Sequence, residues 1–226
     1  MSHPDGCSRP AGRVPVGPPE TCFRPAVLAA RVRALANRAR GRVILGIAGP
    51  PGAGKSSIAA ALAQELGPAA AAVPMDGFHY SNAVLRTLGR ASRKGAPDTF
   101  DVDGYATLLE RLRLDDGRTV YAPGFDRERD EPVAGDLAVP ASARIVITEG
   151  NYLLLPDPGW GQVRPLLDEV WYVDVDESLR LKRLIGRHQQ FGKDEAAARA
   201  WATGPDAANA RLIAATRATA DLIIRY

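Results

Sequence analysis

The chain has 226 residues, 46% hydrophobic and 24% charged, with a formal net charge of +3. That balance excludes a wholly disordered chain, a collagen and a coiled-coil rod, and the length suits one domain of ordinary size. Residues 1–42 carry eight arginines against two acids, while the rest carry 21 basic and 24 acidic groups, so total charge gives no support for a nucleic-acid partner.

Residues 1–24 hold Pro4, Pro10, Pro15, Pro18 and Pro19 among glycines. Such a stretch cannot repay its ordering entropy by burial, and a flexible tail is expected. Its two cysteines, Cys7 and Cys22, are too few for a disulfide framework or a four-ligand zinc site. Over 25–40, Val27, Leu28, Val32, Leu35 and Ala39 recur at helical spacing, closed by Gly41. Residues 43–48 form a short apolar run, the pattern of a buried parallel strand. A helix follows over 56–66, then a strand over 71–74. Residues 76–140 read as a polar, loop-rich insertion with one helix over 102–114. Strands are expected at 143–148, 169–173 and 220–224, and helices at 178–191 and 205–219.

Strands alternating with helices predict an α/β fold: a five-stranded parallel sheet covered on both faces, with an insertion placed to build a site. The domain expected over 25–226 thus has an N-terminal helix, an insertion over about 76–140 and a lid over about 180–204. No apolar run approaches the ~20 residues that cross a bilayer, and no charged-then-apolar leader opens the chain. The expectation is a cytoplasmic protein with no membrane association.

Gly49-Pro50-Pro51-Gly52-Ala53-Gly54-Lys55-Ser56 fits G-x-x-x-x-G-K-[ST] in full, between a predicted strand and a predicted helix. Glycines let backbone N–H groups turn toward phosphate oxygens, and the helix start adds unpaired donors. Lys55 supplies a cation for the β- and γ-phosphates, and Ser56 a hydroxyl for Mg²⁺. Ser57 follows in the first turn of the helix. ATP and Mg²⁺ are the cofactors this pattern predicts. The guanine motif of a GTPase switch and the signature loop of a transport ATPase are both missing from the sequence.

Two carboxylates sit at predicted strand ends. Glu149 closes the strand over 143–148 and can hold Mg²⁺ through water; a capping or salt-bridged carboxylate is the plain alternative. Asp76 closes the strand over 71–74, where a carboxylate can orient an attacking hydroxyl or take its proton. An Asx turn before Gly77 is the alternative there. His79 reads equally as a substrate partner and as a structural histidine.

Met75-Asp76-Gly77-Phe78-His79-Tyr80-Ser81-Asn82, followed by Arg93-Lys94-Gly95-Ala96-Pro97-Asp98-Thr99-Phe100-Asp101, resembles bacterial type I pantothenate kinases. It is also similar to the wider uridine kinase and phosphoribulokinase superfamily of P-loop kinases. Tyr121-Ala122-Pro123-Gly124-Phe125-Asp126-Arg127-Glu128-Arg129 resembles that group's acceptor-pocket segment, and Val146-Ile147-Thr148-Glu149-Gly150-Asn151-Tyr152 its strand ending in Glu-Gly. The likeness runs over about 43–226 and is nearest a pantothenate-kinase-like branch described as nucleoside/nucleotide kinase family proteins. It implies strand order 2-3-1-4-5, transfer to a small-molecule hydroxyl, and Asp76 as base. It further implies an acceptor side drawn from His79, Tyr80, Lys94, Arg127, Arg129, Asn151 and Tyr152. Phe125-Asp126-Arg127 departs from the type I pattern, which leaves pantothenate-, nucleoside- and sugar-like acceptors open.

Arg180, Arg183 and Arg187 share one face of the helix over 178–191. In kinases, arginines from such a helix close over phosphates; a solvated basic face is the alternative. Arg183 and Arg187 are the catalytic candidates here. Asn209, in a segment resembling one that follows the lid in this branch, reads as an acceptor contact or a helix cap. A homodimer stays open. The second functional class is a non-catalytic, NTP-binding regulator, against which an acceptor-side carboxylate at Asp76 argues.

Overall fold

The computed structural model describes residues 17–226. The tail expected over 1–16, with Cys7, lies outside the described residues. Eight strands are described: β1 (Glu20–Cys22), β2 (Val43–Ala48), β3 (Ala70–Pro74), β4 (Val120–Asp126), β5 (Glu131–Val139), β6 (Ile145–Gly150), β7 (Glu169–Asp174) and β8 (Leu222–Arg225). The α-helices are α1 (Pro25–Arg38), α2 (Lys55–Leu66), α3 (Asn82–Thr87), α4 (Val102–Leu114), α5 (Glu177–Gln190), α6 (Glu195–Thr203) and α7 (Pro205–Ala214).

A six-stranded parallel sheet runs β1-β8-β7-β2-β6-β3. Its last five strands, read from β3, have the expected 2-3-1-4-5 order. The sixth, β1, lies inside the stretch whose composition suggested a tail. Three residues cannot make a strand alone, but here the free edge of β8 templates them. Glu20 takes both Arg217 and Arg225 as partners, and Phe23 meets the Tyr226 ring edge-on at 5.0 Å.

Every residue of β2 is buried, because the sheet is covered on both sides. Ile44 and Ala48 enter one core, Leu45 and Ile47 the other. α1 and α2 seal the second with Leu28, Val32, Ile58 and Leu62. α4 and the chain after β6 seal the first with Tyr105, Leu109, Leu112, Trp160 and Val163. A buried hydrogen-bond chain fixes α4 to the sheet. Thr148 Oγ1 donates to the Val73 carbonyl at 2.7 Å, so Tyr105 must donate to Thr148, at 2.6 Å. The chain thereby joins the insertion to the two strands whose ends carry Asp76 and Glu149.

The insertion departs from its loop-rich reading. β4 and β5 pair antiparallel as a separate hairpin, and α3 is capped by Ser81, which accepts from the Val84 N–H. Pro123 and Pro132 inside the hairpin argue against strands by sequence. In a two-stranded sheet each strand has one unpaired edge, and the register shifts at Pro123, so neither proline costs a ladder bond in a sheet interior. α7 also ends at Ala214, five residues before its periodicity suggests, and a single 3-10 turn, Arg217–Thr219, leads into β8.

Candidate active site

β2 ends in the loop 49–54, and the loop opens α2. Gly49, Gly52 and Gly54 have φ of 153°, 82° and 95°, conformations that favour glycine. A Cβ on Gly52 would stand 2.7 Å from Leu184 Cγ and 2.9 Å from the Arg180 carbonyl. The loop therefore lies against α5 as closely as backbone permits. No side chain caps α2, which leaves its first N–H groups for a ligand.

Lys55 is buried. Its Nζ donates to the Pro50 carbonyl at 3.1 Å and to Asn151 Oδ1 at 2.7 Å. Burial lowers its pKa to about 8, against the pull of Glu149 and Asp76. Ser56 Oγ donates to Glu149 Oε1 at 2.7 Å. Burial and the nearby Asp76 push the Glu149 carboxyl up. Magnesium prefers hard oxygen ligands and retains several waters. One hydroxyl and one carboxylate beside the phosphate-loop lysine fit such a water-rich site. Among the described residues no group of three His, Cys, Asp or Glu side chains is placed to hold a metal, so a fully protein-ligated ion does not fit.

Asp76 stands in the 3-10 turn Met75–Phe78 that follows β3. The turn is wedged in place, since a Cβ on Gly77 would lie 2.2 Å from the Pro123 carbonyl of β4. Arg127, just past β4, donates to Asp76 Oδ2 at 3.0 Å. Burial works to raise the Asp76 carboxyl, but the cationic surroundings of His79, Arg127, Lys55 and Arg187 hold it below the usual range. His79 Nδ1 meets the Asp76 carbonyl at 2.8 Å, and its ring lies 4.0 Å from Phe100 and 4.9 Å from Phe125. Burial lowers the His79 pKa.

These groups line one cavity of about 390 Å³, which holds Lys55, Ser56, Asp76, Glu149, Asn151, Arg187, His79, Lys94, Arg127 and Asn209 together. The remaining candidates lie elsewhere. Tyr152 is buried in the core, and its hydroxyl donates to the Gly95 carbonyl. Tyr80 forms no part of the lining and joins Thr99 through backbone. Arg129 is largely exposed and pairs with Asp126 on the hairpin turn. Arg183 lies over the Tyr226 ring at 4.9 Å, next to Gly54 and outside the cavity, with one terminal nitrogen buried and unpartnered among the described residues. Arg180 serves the loop itself, donating to the Pro51 carbonyl and pairing with Glu177.

Several lining residues carry no site role in the sequence reading: Asn82, Glu128, Asp130, His188, Lys193 and Asp206. His188 Nε2 meets Asp206 Oδ2 at 2.7 Å, binding the end of α5 to the start of α7. The alternating charges of 126–130 were a usable signal for Asp130, because polar runs mark turns.

Residues 44–226 match the model of the Phosphoribulokinase / Uridine kinase family. The chain is similar to a candidate fructose transport system kinase of known crystal structure from Silicibacter sp. TM1040, with 40% identity, a TM-score of 0.79, and coverage of 89% of this chain and 98% of that one. It is 38% identical over 160 residues to a candidate uridine kinase, C227.14, of Schizosaccharomyces pombe, covering 67% of this chain and 68% of the relative. It is 35% identical over 190 residues to the uncharacterized protein YggC of Escherichia coli K12, covering 81% and 77%.

Proposed function

This chain belongs to the phosphoribulokinase / uridine kinase family and is a P-loop kinase, and we propose that it transfers the γ-phosphoryl group of ATP to a hydroxyl of a small molecule. The observation that carries this reading is Asp76. It is an ionised carboxylate held by Arg127 in the same cavity as Lys55, Ser56 and Glu149.

When bound, ATP supplies the phosphoryl group and Mg²⁺ neutralises its charge. Lys55 and the turned amides of 49–54 hold the phosphates, and Asn151 keeps the Lys55 ammonium aimed at the loop. Ser56 and Glu149 offer the oxygens for the ion. Asp76 accepts the proton of the acceptor hydroxyl, with Arg127 fixing which carboxylate oxygen faces it. Arg187 brings a lid cation to developing charge. Arg183, by its place beside Gly54, serves the nucleotide side of the loop.

No described helix is long and apolar enough to cross a membrane, in keeping with a small-molecule acceptor met in water. The test is ATP turnover with a panel of sugars, nucleosides and pantothenate-like acids. A relative named for fructose transport places sugars on that panel. At least one acceptor raises turnover well above the basal rate; a flat response across the panel overturns the reading.

A further inference from the structure

Building on that kinase reading, we propose that the acceptor is an uncharged polyhydroxylated molecule of the monosaccharide class, and that Lys94 is a positioning residue and not an anchor for an acidic acceptor. By sequence, Lys94, Arg127 and Arg129 suit an anionic or a polyhydroxylated acceptor. The structure commits Lys94 and Arg127 before any acceptor arrives. An ammonium has three N–H donors. Lys94 directs its donors at Asn82 Oδ1 (2.8 Å), Asp130 Oδ2 (2.8 Å) and the Asp130 carbonyl. Its side chain is 12% exposed, so little of it reaches the ligand space. Arg127 is bound to the base, Asp76.

Three lining cations have no ion-pair partner among the described residues: Lys55, held at the phosphate loop, and Arg187 and Lys193, both of the lid. Arg187 sits where the charges of Arg127, Asp206, Asp76 and Glu149 all reach it. Lys193 lies over the Trp201 ring at 5.0 Å.

What the acceptor wall offers instead is hydrogen-bond acceptors. A carbonyl only accepts, so His79 Nδ1 donates to the Asp76 carbonyl, and when the ring is neutral Nε2 is left as an acceptor. Glu128 adds a carboxylate, and Asp130 and Asp206, already paired with Lys94 and His188, add only the oxygens those pairs leave over. Lys94 binds Asp130, whose backbone is left-handed at φ 53°, and Glu131, its neighbour, accepts from the Asn82 N–H through both oxygens. Lys94 thus clamps the hairpin turn to the start of α3. A wall of acceptors suits a molecule that arrives with several O–H groups and no negative charge, because acids meeting those carboxylates are repelled.

The experiment is kcat/KM for matched acceptors at fixed ATP: fructose and ribose, the acids D-glycerate and pantothenate, fructose 6-phosphate, and uridine. A neutral monosaccharide leads every acid and phosphate by about tenfold or more, the scale on which a hydroxyl-binding site discriminates. A lead for any acid, phosphate or nucleoside overturns the proposal while leaving the kinase reading intact. A flat response from all of them removes both. Asp130→Asn gives the second readout, since it releases Lys94 from its countercharge. The variant shifts the acid-to-monosaccharide kcat/KM ratio toward the acid by about tenfold, the effect of one freed charge pair, with KM for ATP unchanged. An unchanged ratio in a variant of normal ATP KM overturns the role of Lys94. Should Asp130→Asn lose ATP binding as well, Lys94→Gln decides instead. It raises KM for the monosaccharide if Lys94 positions the wall, and removes only acid turnover if Lys94 is an anchor.

Discussion

Arg127 and Asp76 meet at 3.0 Å, across 51 residues of sequence. The pair couples the hairpin turn to the strand end that carries Asp76, the proposed base. Opposite charge favours the ionised carboxylate, so Asp76 stays a competent base down into the acid range and activity falls as pH drops through its lowered pKa. Arg127→Ala removes one of the cations that hold it down. The acid limb of the kcat/KM profile therefore moves toward neutral pH. A limb that stays in place shows that another group sets it.

Asp76→Asn keeps the shape of the side chain and removes its basicity. Acceptor-dependent transfer falls on the order of 10²–10⁴-fold, the range of general-base catalysis, while ATP affinity is retained. Kd by calorimetry and steady-state transfer separate the two. Transfer at the parental rate would mean that Asp76 only orients.

Lys55 has a pKa of about 8 in the empty site. A protonated ammonium is what attracts phosphate. As pH rises through 8, the empty protein loses that proton, and ATP must then bind with its uptake. ATP affinity weakens between pH 7 and 9.5, whereas Lys55→Met binds weakly with a flat profile. Asn151→Ala removes a hydrogen bond to this ammonium and lowers kcat/KM for ATP by about 10- to 100-fold, the equivalent of a charged hydrogen bond.

Gly77→Ala inserts a methyl where the Pro123 carbonyl stands 2.2 Å away. Backbone must yield, at a cost of about 1–3 kcal/mol. The turn bearing Asp76 moves with it, so transfer drops while nucleotide binding persists. Thermal unfolding and ATP binding, measured together, distinguish this from general collapse.

Tyr105→Phe cuts the chain from α4 to Thr148 to Val73. It leaves one buried hydroxyl without its donor and costs about 1 kcal/mol, read as a lower denaturant midpoint with ATP KM unaltered.

The central sheet was legible because β2, β3, β6, β7 and β8 are short apolar runs separated by helical periods, and the fully buried β2 has no polar residue to blur it. The loop 49–56 was legible because its chemistry constrains residue type at fixed spacing. Long-range partnerships were not. Nothing in the local pattern around Lys94 reveals that Asp130 consumes its charge, or that Arg183 turns to Tyr226 while Arg187, four residues on, faces the cavity. β1 depends wholly on the edge of β8, and the hairpin hides behind two prolines that only an isolated two-stranded ribbon accommodates. Tyr152 shares a run with Glu149 and Asn151, yet it turns into the core, because side chains leaving a strand end diverge.

Arg180 joins α5 to the Pro51 carbonyl, and Leu184 lies against Gly52. The first turns of α5 are thus mechanically part of the phosphate loop, a post and not a door. The far end of α5 is tied as well, His188 to Asp206 of α7 at 2.7 Å, and Gly192, with φ 91°, turns the chain toward α6. Whatever shifts α5 at its base therefore shifts the phosphate loop with it.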